Sequence, residues 1–189
     1  MGLTIVGGLV AHISYIHGLF RGSVGDLDET RFRASPGITA PSIAFHLWHT
    51  ARWADAFQER FGSFAPELRR FTGREQIWDA RAVADTWGIG GALGTEATGM
   101  GLDDDVSAAL SLPPKMEVAS YARDAFAAAE DVFRGVADAE LLLPTADFYG
   151  EGGWVVLDHF GWHLSHAARH LGMIEALKGS FGIEGTATV

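Results

Sequence analysis

Four histidines, His159, His163, His166 and His170, stand four, three and four residues apart in the stretch HFGWHLSHAARHLGMIEALKG, near the end of a 189-residue chain. At about 100° per residue they share a sector of roughly 60° on one helical face. Trp162, Leu164, Leu171, Met173 and Ile174 widen the apolar surface around them, so the imidazoles turn toward the interior or its mouth, where each needs a polar partner. A single histidine on such a face is ordinarily a core or interface residue satisfied by a carbonyl, a tyrosine or a carboxylate. Four in phase are different, because an i,i+4 pair can converge on one ion with each nitrogen about 2.0–2.1 Å from it. A useful site needs a third protein ligand, and His46 and His49 in AFHLWHTARWAD supply candidates. Metal binding by imidazoles from two long helices is the chemistry this pattern offers.

Three neutral histidines leave a coordination position for water or substrate. Zn²⁺ or Ni²⁺ suits an all-imidazole set best, with Fe²⁺ and Mn²⁺ as alternatives. Such an ion lowers the pKa of bound water to about 7 or holds a thiol as its thiolate. Hydrolysis would want a carboxylate base, for which Asp55 and Asp158 are the nearest candidates. Asp158 lies about 100° around the helix from His159, and Asp55 follows His49 by six residues; both read as surface or outer carboxylates. Ser165 has no nucleophile-elbow context, and nothing marks a covalent haem site. Trp48, Trp53, Trp78, Trp87, Trp154 and Trp162 read as core or as walls of an apolar pocket.

The elements that must position these residues are helices. Residues 3–24 read as a helix with a wide apolar surface, and the polar 25–37 as a crossover. A second helix is expected over 39–62, with Thr39 as N-cap, Pro41 in the first turn and Gly62 as the stop. In 115–136, Ala119, Ala122, Phe126, Ala129 and Phe133 repeat at helical steps while Glu117, Arg123, Asp124, Glu130, Asp131 and Arg134 face elsewhere. The fourth helix spans 154–178 and is ended by Gly179. Between the second and third lies 63–114, with a short helical pattern in EQIWDARAVADTWG and then the glycine-rich GIGGALGTEATGMGLDDD. The latter lacks the strand–turn–helix context of a dinucleotide site and the Gly-Lys-Ser/Thr of a P-loop, so it reads as a shaped loop. No alternating strand pattern is visible. An all-α four-helix bundle with a long connection and extra short helices, one domain over 1–189, is the predicted architecture.

HLWHTARWADAF and HLSHAARHLGMIEALKG together resemble the DinB/YfiT-like superfamily of bacterial four-helix proteins, which carry one metal-binding histidine on helix 2 and an H-x-x-x-H pair on the last helix. The resemblance places the pair on His166 and His170 and the helix-2 ligand on His49. The family's R-G-Q-I-like run after the second histidine of the pair is matched at Gly172 and Ile174 but not at its Arg and Gln. The family pattern gives His46, His159 and His163 no settled role; His163 is an alternative or added ligand or a proton shuttle, and His159 a structural residue. The resemblance implies activation of a low-molecular-weight thiol (mycothiol, bacillithiol or glutathione) for S-transfer to a small electrophile. With no cysteine in the chain, such a thiol comes from outside.

Composition sets the limits. A net charge of −10 with no basic run speaks against a grip on nucleic-acid phosphates. The apolar start MGLTIVGGLVAHISYIHGLF has no basic n-region and contains His12 and His17, which predicts a buried helix rather than a signal or membrane segment. The cysteine-free composition fits the cytoplasm. Apolar faces on the first and third long helices predict a homodimer. Three readings remain: a metal-dependent enzyme acting on a small molecule (thiol transferase, with hydrolase second), a non-catalytic metal- or ligand-binding stress protein, and a purely structural dimerisation unit.

Overall fold

The computed structural model describes residues 4–91 and 93–186; the expectations for residue 3, Ala92 and 187–189 lie outside the described residues. Helix α1 (Ile5–Gly25) leads through the short α2 (Glu29–Arg33) into α3 (Ile43–Arg60). Short helices α4 (Ile77–Ala80), α5 (Val83–Trp87) and α6 (Asp104–Ala109) fill the connection to α7 (Lys115–Arg134). The two-residue strands β1 (Pro144–Thr145) and β2 (Trp154–Val155) precede α8 (Val156–Ser180). α1 and α3 each pack on both α7 and α8, which closes the four long helices into the expected all-α bundle.

The pattern of α1 shows why. Val6, Val10, Ile13, His17, Phe20 and Val24 are buried at steps of four and three, the spacing that keeps one stripe inward. Its start is fixed twice: Thr4 Oγ1 accepts from Gly7 N at 2.9 Å, and the Asp138 carboxylate accepts from Ile5 N and Val6 N at 2.9 and 2.8 Å. A carboxylate there meets the positive end of the helix dipole. On α7, Ala122, Ala125 and Ala129 are buried beside Phe126 and Phe133, and the small side chains let α3 come close. Every residue of α3 from Ile43 to Gln58 is buried, because Leu68, Phe71, Ile89 and Leu93 of the long connection join the core. α3 is thus the central helix.

Several boundaries depart from the sequence expectation. α3 starts at Ile43, not near Thr39: Ser42 Oγ accepts from Phe45 N at 3.2 Å, while Gly37 and Ala40 form an isolated bridge and Pro41 holds the chain outside the helix. Gly62 lies in a 3-10 turn, Phe61–Ser63, where a Cβ would sit 2.5 Å from Thr72 N; the close approach of that backbone, not helix termination, requires glycine. α8 begins after a strand pair that no alternation announced, in which Thr145 pairs with Trp154 and Pro144 with Val155. Asp158 Oδ2 accepts from Val155 N at 2.8 Å, fixing that start, and the helix runs through Gly179. Glu130, expected to face outward, is buried.

Candidate metal centre

α3 and α8 lie side by side, and their histidines meet. One ring nitrogen each from His49, His166 and His170 falls within 4.8 Å of the others. His49 Nε2 lies 3.1 Å from His166 Nε2. Two nitrogens each about 2.0–2.1 Å from one tetrahedral ion are roughly 3.3–3.4 Å apart, so this separation is close to a ligand bite. The i,i+4 spacing of His166 and His170 sets their rings 4.6 Å apart, centroid to centroid, and His49 sits 5.1 and 4.6 Å from them. The donor set and its spacing fit a divalent ion.

The orientation of each ring is held from outside. His49 Nδ1 meets the Thr98 carbonyl at 2.6 Å, and a carbonyl only accepts, so Nδ1 carries the proton and Nε2 keeps its lone pair for the ion. His46 Nδ1 lies 3.1 Å from His170 Nδ1; with the proton on His170 Nδ1, His170 Nε2 keeps its lone pair. Trp162 stacks on His166 at 5.2 Å with 5° between the rings. Burial pushes His46 and His49 down to about 4, the Thr98 carbonyl partly opposing the shift at His49. It lowers His166 to about 3 and His170 to about 2, with neighbouring positive charge, His49 above all, adding to the effect. At neutral pH the three rings are therefore neutral and their lone pairs available.

Thr98 belongs to the glycine-rich loop, which is tightly folded. Thr95 N donates to Met100 O and Gly99 N to Leu93 O, both at 2.7 Å. Gly99 has φ +86°, and a Cβ there would stand 2.8 Å from Trp48 and 2.9 Å from Phe45. The buried Arg52 guanidinium clasps the loop, donating to Ala97 O and Glu96 O at 3.0 Å each. Asp55 supports Arg52 at 3.2 Å and also accepts from Tyr121 OH, Ile77 N and Trp78 N. Asp55 is thus a core residue, which corrects the expectation of a surface or outer carboxylate, and its oxygens are committed to structural bonds. Asp158 is exposed at the start of α8, as expected of a surface carboxylate, and its Oδ2 caps the helix.

The remaining histidines separate. His159 bonds Thr145 Oγ1 at 2.9 Å and stacks on Phe64, a structural position. His163 Nε2 faces His17 Nε2 at 3.0 Å, and His17 Nδ1 donates to Glu130 Oε1 at 2.8 Å. Ser14 and Arg134 both donate to Glu130 Oε2 at 2.6 Å. This buried Glu–His–His chain spans α7, α1 and α8. Sequence reasoning missed His17 and Glu130, although His17 stands within the apolar stripe of α1, a position at which an imidazole calls for a partner. Trp48 and Trp78 are core residues, whereas Trp53, Trp154 and Trp162 line a cavity beside the centre.

The fold and the site together define a helical bundle with a three-histidine centre between two of its long helices. The chain belongs to the DinB superfamily, whose sequence model matches residues 14–174. A conserved protein from Enterococcus faecalis has a similar crystal structure, with a TM-score of 0.74 over 96% of this chain and 99% of that one, at 12% identity; this likeness is one of fold. No curated protein matches the sequence.

Proposed function

We propose that the protein is a metal-dependent thiol S-transferase that holds Zn²⁺ or Ni²⁺ on His49, His166 and His170 and joins a low-molecular-weight thiol (mycothiol, bacillithiol or glutathione) to a small electrophile. The observation that carries this reading is the convergence of three neutral imidazole nitrogens within 4.8 Å, one of them with its tautomer set by Thr98. A divalent ion at that place supplies Lewis-acid chemistry, lowering the pKa of a thiol or water brought to its remaining position. The sulfur comes from outside, since the chain has no cysteine. In the transfer, a sulfur electron pair forms the new S–C bond, the leaving group departs with the pair of the bond it breaks, and the thiol proton passes to a base or to solvent.

The chain's residues divide the work. Thr98 and His46 hold His49 and His170, and Trp162 holds the plane of His166. His163 is proposed as a proton shuttle, supported by its unbroken chain through His17 to Glu130. Hydrolysis is the weaker reading: of the two carboxylates that sequence offered as a base, Asp55 is bound up in structural hydrogen bonds and Asp158 is an exposed cap at the start of α8. A homodimer is also proposed, supported by the exposed Ile5 and Tyr15 of α1 and Met116 of α7, as is a cytoplasmic setting, supported by the cysteine-free sequence. Among the described residues no helix is long and apolar enough to cross a membrane.

Metal content per chain is the deciding measurement, made by elemental mass spectrometry on untagged protein purified without chelators. Near-stoichiometric Zn or Ni is expected, and its loss in a His166→Ala, His170→Ala double variant that still unfolds cooperatively. Consumption of a thiol with an electrophile should then depend on the metal. Protein that neither contains nor takes up metal would end the enzyme reading, and metal without thiol turnover would leave a non-catalytic binding protein.

A further inference from the structure

Beside the candidate centre, α3, α8, β2 and the 146–153 segment line a cavity of about 70 Å³. This is well above the ~10–15 Å³ that one water requires, and it has room for a compact group of several heavy atoms. Its walls include Trp53, Phe148, Tyr149, Trp154 and Trp162, with Asp147 among the lining residues. The rings stand in box-like relation: Trp53 is edge-on to Phe148 at 4.8 Å and to Trp162 at 5.4 Å, and Phe148 is edge-on to Tyr149 at 6.0 Å. Aromatic faces carry negative quadrupole density, and several faces around one small space form the arrangement that holds an alkylated ammonium group within about 6 Å of each ring.

Charge favours the same occupant. Asp147 Oδ1 accepts from Tyr149 N and Glu151 N at 2.9 and 2.8 Å, so the carboxylate of this lining residue is held in place by its own turn. Arg60 lies against the box, its guanidinium 4.6 Å over Phe148, and is offset by Glu96 at 2.6 Å. Phe148 therefore already engages one cation. Glu151 adds negative charge on the segment that carries Asp147. His159, which also lines the cavity, is lowered to about 4 by burial, so it brings no competing charge at neutral pH. Trp53 and Trp162 both touch the candidate centre, at 6.2 and 5.2 Å from the His166 ring, and an occupant of the box would lie next to that centre.

We infer that this cavity is a binding site for a small quaternary or methylated ammonium group, with the aromatic box taking the cation's face and Asp147 its charge. The site stands on its own residues and does not require the proposed transferase activity, although its position would make it a substrate-recognition subsite. The test is calorimetric titration of the full chain with choline and with 3,3-dimethyl-1-butanol, its neutral isostere, each with and without prior removal of metal. Choline is expected to bind about tenfold or more tightly than the alcohol, as a cation-specific box requires. Asp147→Asn keeps an oxygen for the turn, and should weaken choline several-fold while leaving the alcohol unchanged. Trp154→Leu should weaken choline with little change in thermal midpoint. Equal affinity for the two ligands, no saturable choline binding, or an Asp147→Asn effect common to both would overturn the assignment. Because metal-free protein is one arm, a failed metal reading and a failed cation box give different results.

Discussion

A single carbonyl decides how His49 presents itself. Thr98 O fixes the proton on Nδ1, and the Thr98 peptide reaches α3 only because residue 99 is glycine at φ +86°. In Gly99→Ala the new methyl would press on Trp48 and Phe45, so the loop must back away and take the carbonyl with it. Loss of such an outer hydrogen bond lowers metal affinity by roughly 10–100-fold, and the strained backbone costs on the order of 1–3 kcal/mol. Competition with a chromophoric chelator reads the first and urea unfolding the second. Unchanged affinity in a destabilised variant would mean that Thr98 does not orient the ligand. The spacing in the sequence made His166 and His170 legible as neighbours, since i,i+4 on one helix fixes them. His49 needed the pairing of two helices, and Thr98 was invisible because a loop carbonyl leaves no mark on residue type.

Arg52 connects α3 to everything that covers it. One guanidinium binds two carbonyls of the 93–101 loop, Gln76 ahead of α4, Tyr121 of α7 and Asp55 one turn along its own helix. Both charged partners are almost wholly buried, 2% and 0% exposed at the side chain. Removing one member of such a pair leaves the other without compensation, a loss of about 3–5 kcal/mol. Asp55→Ala should lower stability by that order in denaturant unfolding and loosen the loop, seen as faster amide exchange at Ala97 and Gly99. A surface-like cost below about 1 kcal/mol would contradict the network. Helix periodicity revealed the four long helices, but not this layer. Ser42 outcompeted Thr39 as a cap because Pro41 delays the helix, and the one-turn helices of the long connection are too short to show a period. Asp55 looked poorly aimed because it was judged against His49 rather than against Arg52.

At the level of the whole molecule, the bundle keeps an unusual number of imidazoles neutral. Burial is the leading cause of a lowered pKa at His17, His46, His49, His159, His163, His166 and His170. An unfolded chain takes up protons at these positions near pH 6.5, while the folded chain refuses them until lower pH, at about 4 for His159. The unfolded state thus binds more protons, and stability must rise with pH across this window. The contribution is fully present above pH 6.5 and is lost as pH falls, toward about 4 at His46, His49 and His159 and on toward about 3 and about 2 at His166 and His170. His159 alone, away from the candidate centre, accounts for on the order of 3 kcal/mol of it. Glu130, whose pKa is held below the usual range by His17, Ser14 and Arg134 against its partial burial, adds a further loss below about pH 4.5. Urea midpoints measured from pH 7.5 to 4 on chelator-treated protein should therefore fall steeply below 6.5, and His159→Gln should make the fall shallower. Loaded protein should start higher and lose more, because ligand protonation and metal release then act in the same direction. A midpoint that stays flat between pH 7 and 5 would mean that these rings are not held neutral by the core.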